Sequence, residues 1–197
     1  GMAGLENLTS IGTLRIENND NITDLNGLDG VTSIGEFHIE GNQTLSSLSG
    51  PFFLTTVTIL RIYSNPGLTT LNGLSSVTSI GTLHIFDNAG ITNLFGLNGL
   101  SSLTNLTLER NPVLNNLNGM PNLTSIPGNF YITDNIALPN LNGLFGITSV
   151  GNMLLGNNDA MFFPTGLTNL TAITGDLWVQ NNRSEERRVG KECRSRW

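Results

Sequence analysis

Few side chains in residues 1–182 can hold a proton, a metal ion or a charged ligand. His38 and His84 are the only histidines, Arg15, Arg61 and Arg110 the only basic side chains, and no lysine or cysteine precedes residue 183. A hydrolytic or zinc centre needs His, Cys or carboxylate groups converging on one point. The spacing of the histidines disperses them instead: they fall two repeats apart, at ~10 Å if the repeats stack as parallel strands, with Arg61 between them. No glycine-rich phosphate loop, no H-E-x-x-H and no nucleophile–base pair occurs. Asn18, Asn19, Asp20 and Asp24 lack EF-hand spacing and read as turn chemistry. The sequence therefore predicts no enzyme activity, no metal and no cofactor.

What the spacing does favour is recognition. Arg15, His38, Arg61, His84, Tyr131 and Trp178 occupy one repeat position, and Glu17, Glu40, Tyr63, Phe86 and Glu109 occupy the position two residues later. Positions two apart on a strand share a face, so these eleven side chains define one outward surface. Aromatic and arginine side chains are enriched in recognition surfaces. The same arrangement is compatible with a solvated β-surface of cross-strand ion pairs.

The elements that must carry this surface follow from an internal repeat. A glycine recurs at Gly4, Gly27, Gly50, Gly73, Gly96, Gly119, Gly143 and Gly166, with spacings of 23 residues and a single 24. Numbering from that glycine, positions 2, 5, 8, 11, 13, 19 and 22 are apolar. Positions 11 and 13 alternate with polar neighbours, as in Thr13–Glu17 and Thr82–Phe86, and mark one short strand per copy. One extra residue enters the sixth and eighth copies, near Asn129 and Asp176. Gly, Ser, Thr and Asn fill the rest, and these are weak helix formers.

Such copies cannot bury their apolar columns alone and must stack. The predicted fold is mostly β with little helix: a right-handed parallel β-solenoid of about eight 23-residue coils, on the order of 38 Å long at ~4.8 Å per coil. Position 16 is asparagine in every copy: Asn19, Asn42, Asn65, Asn88, Asn111, Asn135, Asn158 and Asn182. An inward amide carries donors and an acceptor for backbone groups that lose partners where the coil turns. These eight residues are expected to form a structural ladder. Position 6 is threonine in all copies but one, where Ser101 stands. A flat threonine array suits ice binding; the alternative is a corner hydroxyl bonded to its own backbone.

Charge breaks the chain in two. Residues 1–182 hold twelve acidic and three basic side chains, a balance of −9, while residues 183–197 hold six basic and three acidic, a balance of +3. An acidic surface without lysine argues against a nucleic-acid partner. The tail RSEERRVGKECRSRW resembles the in-frame translation of a common DNA-sequencing adapter and is set apart from the solenoid, which is assigned to residues 1–182. A first residue that is glycine rather than methionine fits an internal fragment of a longer reading frame, uncapped at both ends. N-x-S/T triplets at Asn7, Asn21, Asn42, Asn105, Asn122 and Asn169 would be glycosylation acceptors in a secreted eukaryotic protein.

The template G-L-x-x-L-T-S-I-G-x-L-x-I-x-x-N-x-x-L-T-x-L-N resembles the leucine-rich repeat through stretches such as 103–120. It resembles the receptor L domain more closely through 77–97 and 123–144. Unlike receptor L domains, residues 1–182 lack terminal cysteines. The resemblance implies a non-catalytic binding module of an extracellular or cell-surface repeat protein. Its partner would be a protein or glycan, and membrane contact would come only through an anchor outside these residues. A structural or adhesive wall component is the alternative, and an ice-binding solenoid a third.

Overall fold

The structure is a computed structural model that describes residues 2–162 and 164–182. The assignment of 183–197 to a separate tail lies outside the described residues. Strands β1 (Ser10–Glu17), β2 (Ser33–Glu40), β3 (Thr56–Tyr63), β4 (Ser79–Phe86), β5 (Ser102–Glu109), β6 (Ser125–Thr133) and β7 (Ser149–Gly156) are followed by the short β8 (Ala172–Ile173) and β9 (Leu177–Gln180). They form one parallel sheet in sequence order, with β8 and β9 both pairing β7. No helix occurs among the described residues. The expected parallel β-solenoid is therefore the fold. It has about seven full turns rather than eight, because the last coil carries only a split strand.

Register follows the repeat. Leu60 pairs Leu83 and Ile62 pairs Ile85, so each column continues from strand to strand. The extra residue in the sixth copy makes β6 nine residues long and shifts its pairing with β7 between Ile126 and Asn129. Its counterpart in the last copy falls between β8 and β9 and splits that strand.

Alternate strand residues face inward, and the seven apolar columns form one interior. Phe37, Leu60, Leu83 and Leu106 from position 11, Leu45, Leu68 and Leu114 from position 19, and Leu25, Leu48 and Leu71 from position 22 are all fully buried. The ends differ from the middle. Ile11, Leu14 and Ile22 in the first coil are only partly buried, and Leu177 and Val179 of β9 are 53% and 57% exposed, because among the described residues no further coil covers them.

Two backbone devices bend the coil. Gly73 has φ +108°, and a Cβ there would stand 2.0 Å from the Leu48 carbonyl oxygen of the preceding coil, so no other residue fits. The residue just after each strand is also left-handed: Asn18, Ser64, Asp87, Arg110, Asp134, Asn157 and Asn181 have φ between 53° and 58°, and Gly41 completes the column at 68°. Asn, Asp and Gly dominate it because they tolerate this conformation best.

The asparagines lie one beneath another. Asn42, Asn65, Asn88, Asn111, Asn135 and Asn158 are fully buried. Asn88 shows the pattern. Its Oδ1 accepts from the Asn65 backbone N–H at 3.0 Å, and its Nδ2 donates to the carbonyls of Ile62 and Phe86, both at 2.9 Å. Each amide thus ties its own coil to the preceding one. At the ends the ladder thins. Asn19 keeps its place in the column, its Nδ2 donating to the Glu17 carbonyl at 3.0 Å, but it is exposed, because among the described residues no earlier coil lies against it. Asn182 is half-buried and bonds Asn158 and Leu155.

The threonine column also differs from expectation. Its hydroxyls bond the preceding coil, not their own backbone: Thr55 Oγ1 donates to the Thr32 carbonyl at 3.1 Å, and Thr78 to that of Thr55 at 3.3 Å. The same carbonyls accept backbone N–H groups, so position 6 reinforces coil-to-coil pairing.

Candidate functional site

The strands set the candidate residues in two parallel columns. Arg15 pairs His38, His38 pairs Arg61 and Arg61 pairs His84, while Glu17 pairs Glu40, Glu40 pairs Tyr63 and Tyr63 pairs Phe86. Phe86 then pairs Glu109, and Thr107 pairs Tyr131. Trp178 pairs Leu154 on the terminal strand and is 46% exposed. Tyr131 and Trp178 stand apart from the rest of the set, separated from it by Thr107 and from each other by Leu154. Parallel stacking repeats every side chain at one strand spacing, so the columns weld into a contact network on β1–β5.

One part of the network is ionic. Arg61 pairs Glu36, a residue at position 10 outside the predicted set, and Arg15 Nη2 lies 3.8 Å from the same carboxyl. The Arg61 bond, aided by the nearby positive charges, holds the Glu36 carboxyl below its ordinary range. Arg15 Nη1 also lies 3.2 Å from Glu17 Oε1 and 3.3 Å from His38 Nδ1. His38 Nε2 is sealed from solvent and makes no hydrogen bond, although Glu40 Oε2 lies 2.9 Å away.

This corner corrects the expectation that metal-binding groups are dispersed. Glu17, His38 and Glu40 each bring a ligand atom within 4.8 Å of the others. The histidine-to-histidine spacing misses this because the convergence is diagonal: Glu40 follows His38 on one face of β2, and Glu17 stands opposite Glu40 on β1. The Arg15 guanidinium shares the same space and supplies charge that a metal would have to displace.

The other part is aromatic. The Tyr63 ring meets His84 edge-on at 4.8 Å between centroids, Phe86 at 5.8 Å and His38 at 5.3 Å. The Tyr63 hydroxyl lies 2.7 Å from His84 Nδ1. Burial, with a smaller contribution from Arg61, pushes the His84 imidazole below its ordinary value, so it is neutral at pH 7. The Glu109 carboxylate, 3.9 Å from His84 Nε2, favours the proton on that nitrogen and leaves Nδ1 to accept from Tyr63. Burial also raises the Tyr63 phenol, which stays protonated. Arg110 lays its guanidinium 5.3 Å from the Phe86 ring centroid.

Sequence reasoning missed a second feature, in the turns. Phe95 and Phe145, 50% and 49% exposed, line a cavity of about 360 Å³ together with Pro121, Gly119 and Gly143. Phe52 and Phe53 are exposed in an earlier turn. The signal was phenylalanine at turn positions, where the repeat otherwise places polar residues.

No protein-family model matches the chain, and neither the curated proteins nor the solved structures compared with it contain a match.

Proposed function

We propose that this chain is a non-catalytic recognition module whose β1–β5 face binds a protein or glycan partner. We further propose that its solenoid is of the receptor L-domain or leucine-rich-repeat type and works at the cell surface or outside the cell. The observation that carries the reading is the half-buried cluster of Tyr63, His84 and Phe86, joined edge-to-face and ringed by charged side chains on a sheet backed by a continuous core. Interfaces use such rigid aromatic anchors with a polar rim. The backing matters: outward residues can vary in a solenoid without disturbing the columns behind them.

The test pans a displayed random-peptide library and a glycan array against the full chain and against a variant carrying Arg61→Ala, Tyr63→Ala, His84→Ala and Phe86→Ala. Ligands selected by the native chain and lost by the variant, at an unchanged melting temperature, support recognition. Ligands retained by the variant, or none at all, refute it and favour a structural or adhesive component. Thermal hysteresis of freezing would favour ice binding through the threonine column.

A further inference from the structure

The column two residues beyond the histidines runs Glu40, Tyr63, Phe86, Glu109 across four adjacent strands in register. Two neighbouring aromatic rings are thus bracketed by a carboxylate on each side. Among the described residues no arginine forms an ion pair with Glu40 or Glu109. Arg15 sits with Glu17 and Glu36, and Arg61 with Glu36. The bracketing carboxylates have only histidine beside them, His38 at Glu40 and His84 at Glu109. Burial keeps His84 uncharged at neutral pH, so it does not neutralise Glu109. Phe86 already accepts a guanidinium, that of Arg110, showing that the strip draws a cation within reach.

We propose that this strip recognises cationic side chains of a partner polypeptide, one held by Glu40 and the Tyr63 ring, the other by Glu109 and the Phe86 ring in place of Arg110. The proposal deepens the recognition reading and rests on it. Glu40 and Glu109 lie three strand spacings apart, ~14 Å. Four residues of extended chain span ~13 Å, so the fitting partner is an extended segment crossing the strands with arginine or lysine at i and i+4. The balance of −9 over residues 1–182 steers such a partner toward the solenoid from a distance.

The experiment measures fluorescence anisotropy of a labelled Gly/Ser peptide with two arginines four apart, titrated with the full chain at low and physiological salt. Glu40→Gln and Glu109→Gln should each weaken binding about three- to fivefold, and Phe86→Leu similarly. Arg110→Ala removes the internal competitor and should tighten binding. Asp159→Asn changes the net charge by the same amount from an exposed turn beyond β7 and should leave affinity within about 1.5-fold. A peptide with its arginines two apart should bind more weakly. Equal losses for Asp159→Asn and Glu109→Gln, no response to either glutamate variant, no binding at millimolar chain, or indifference to arginine spacing would each overturn the proposal. If the panning experiment still yields face-dependent ligands while this peptide fails, cation recognition falls and the recognition reading stands.

Discussion

Replacing Asn88 by leucine tests whether the amide ladder holds the coils together. The side chains have similar volume, so packing changes little and hydrogen bonding changes most. Asn88 is fully buried, and its Oδ1 accepts the Asn65 backbone N–H. Its loss leaves that donor in the apolar interior, at a cost of about 1–3 kcal/mol. The two carbonyl bonds of its Nδ2, to Ile62 and Phe86, also disappear, and each contributes about 0.5–1.5 kcal/mol. The expected destabilisation is about 2–6 kcal/mol. Asn19→Leu is the internal control: Asn19 is exposed, and its Nδ2 donates to the Glu17 carbonyl, which water can reach. That change should cost less than about 1 kcal/mol. Urea unfolding followed by far-ultraviolet circular dichroism gives both values. Native-state hydrogen exchange at Asn65 reports whether the loss is local, as nearest-neighbour coupling in a solenoid predicts. Equal costs at Asn88 and Asn19, or an Asn88→Leu chain within 0.5 kcal/mol of the native one, would refute the reasoning.

Gly73→Ala should destabilise by more than about 2 kcal/mol in the same assay, since it adds a Cβ against the Leu48 carbonyl at positive φ; Gly12→Ala, with nothing within 4 Å, should be nearly silent. Leu83→Ala empties a fully buried position and should cost about 2–5 kcal/mol, whereas Leu14→Ala in the partly covered first coil should cost clearly less. His84 is depressed in the folded chain, so the unfolded chain binds its proton first. Stability should therefore fall as pH drops through the ordinary histidine range near 6.5 and level off below the folded value, and His84→Phe should flatten that part of the curve. Glu36 is lowered in the folded chain, so its contribution is present above the ordinary carboxylate range and is lost as pH falls through the folded value; Glu36→Gln should remove that acid-side dependence.

Much of this was legible in the residues. The glycine column at positive φ, the alternating pair at positions 11 and 13 and the asparagine column all follow from the period, because in-register stacking places each residue against its own counterpart. The bulges in the sixth and eighth copies were legible too, as single insertions near Asn129 and Asp176. Contacts between different columns were not. Glu36 lay outside the predicted surface set, yet it holds Arg61. The Tyr63–His84 hydrogen bond and the meeting of Glu17, His38 and Glu40 are diagonal contacts, set by side-chain rotamers rather than by register.

By itself the sequence determined the repeat, the inward columns and the face on which charged and aromatic residues stand. These depend only on a strand period of two and a coil period of 23. Tertiary structure decided which charges pair, which imidazole loses its proton and which amides are sealed from water. Those outcomes depend on distance and burial, which one coil acquires only from the coils stacked on either side of it.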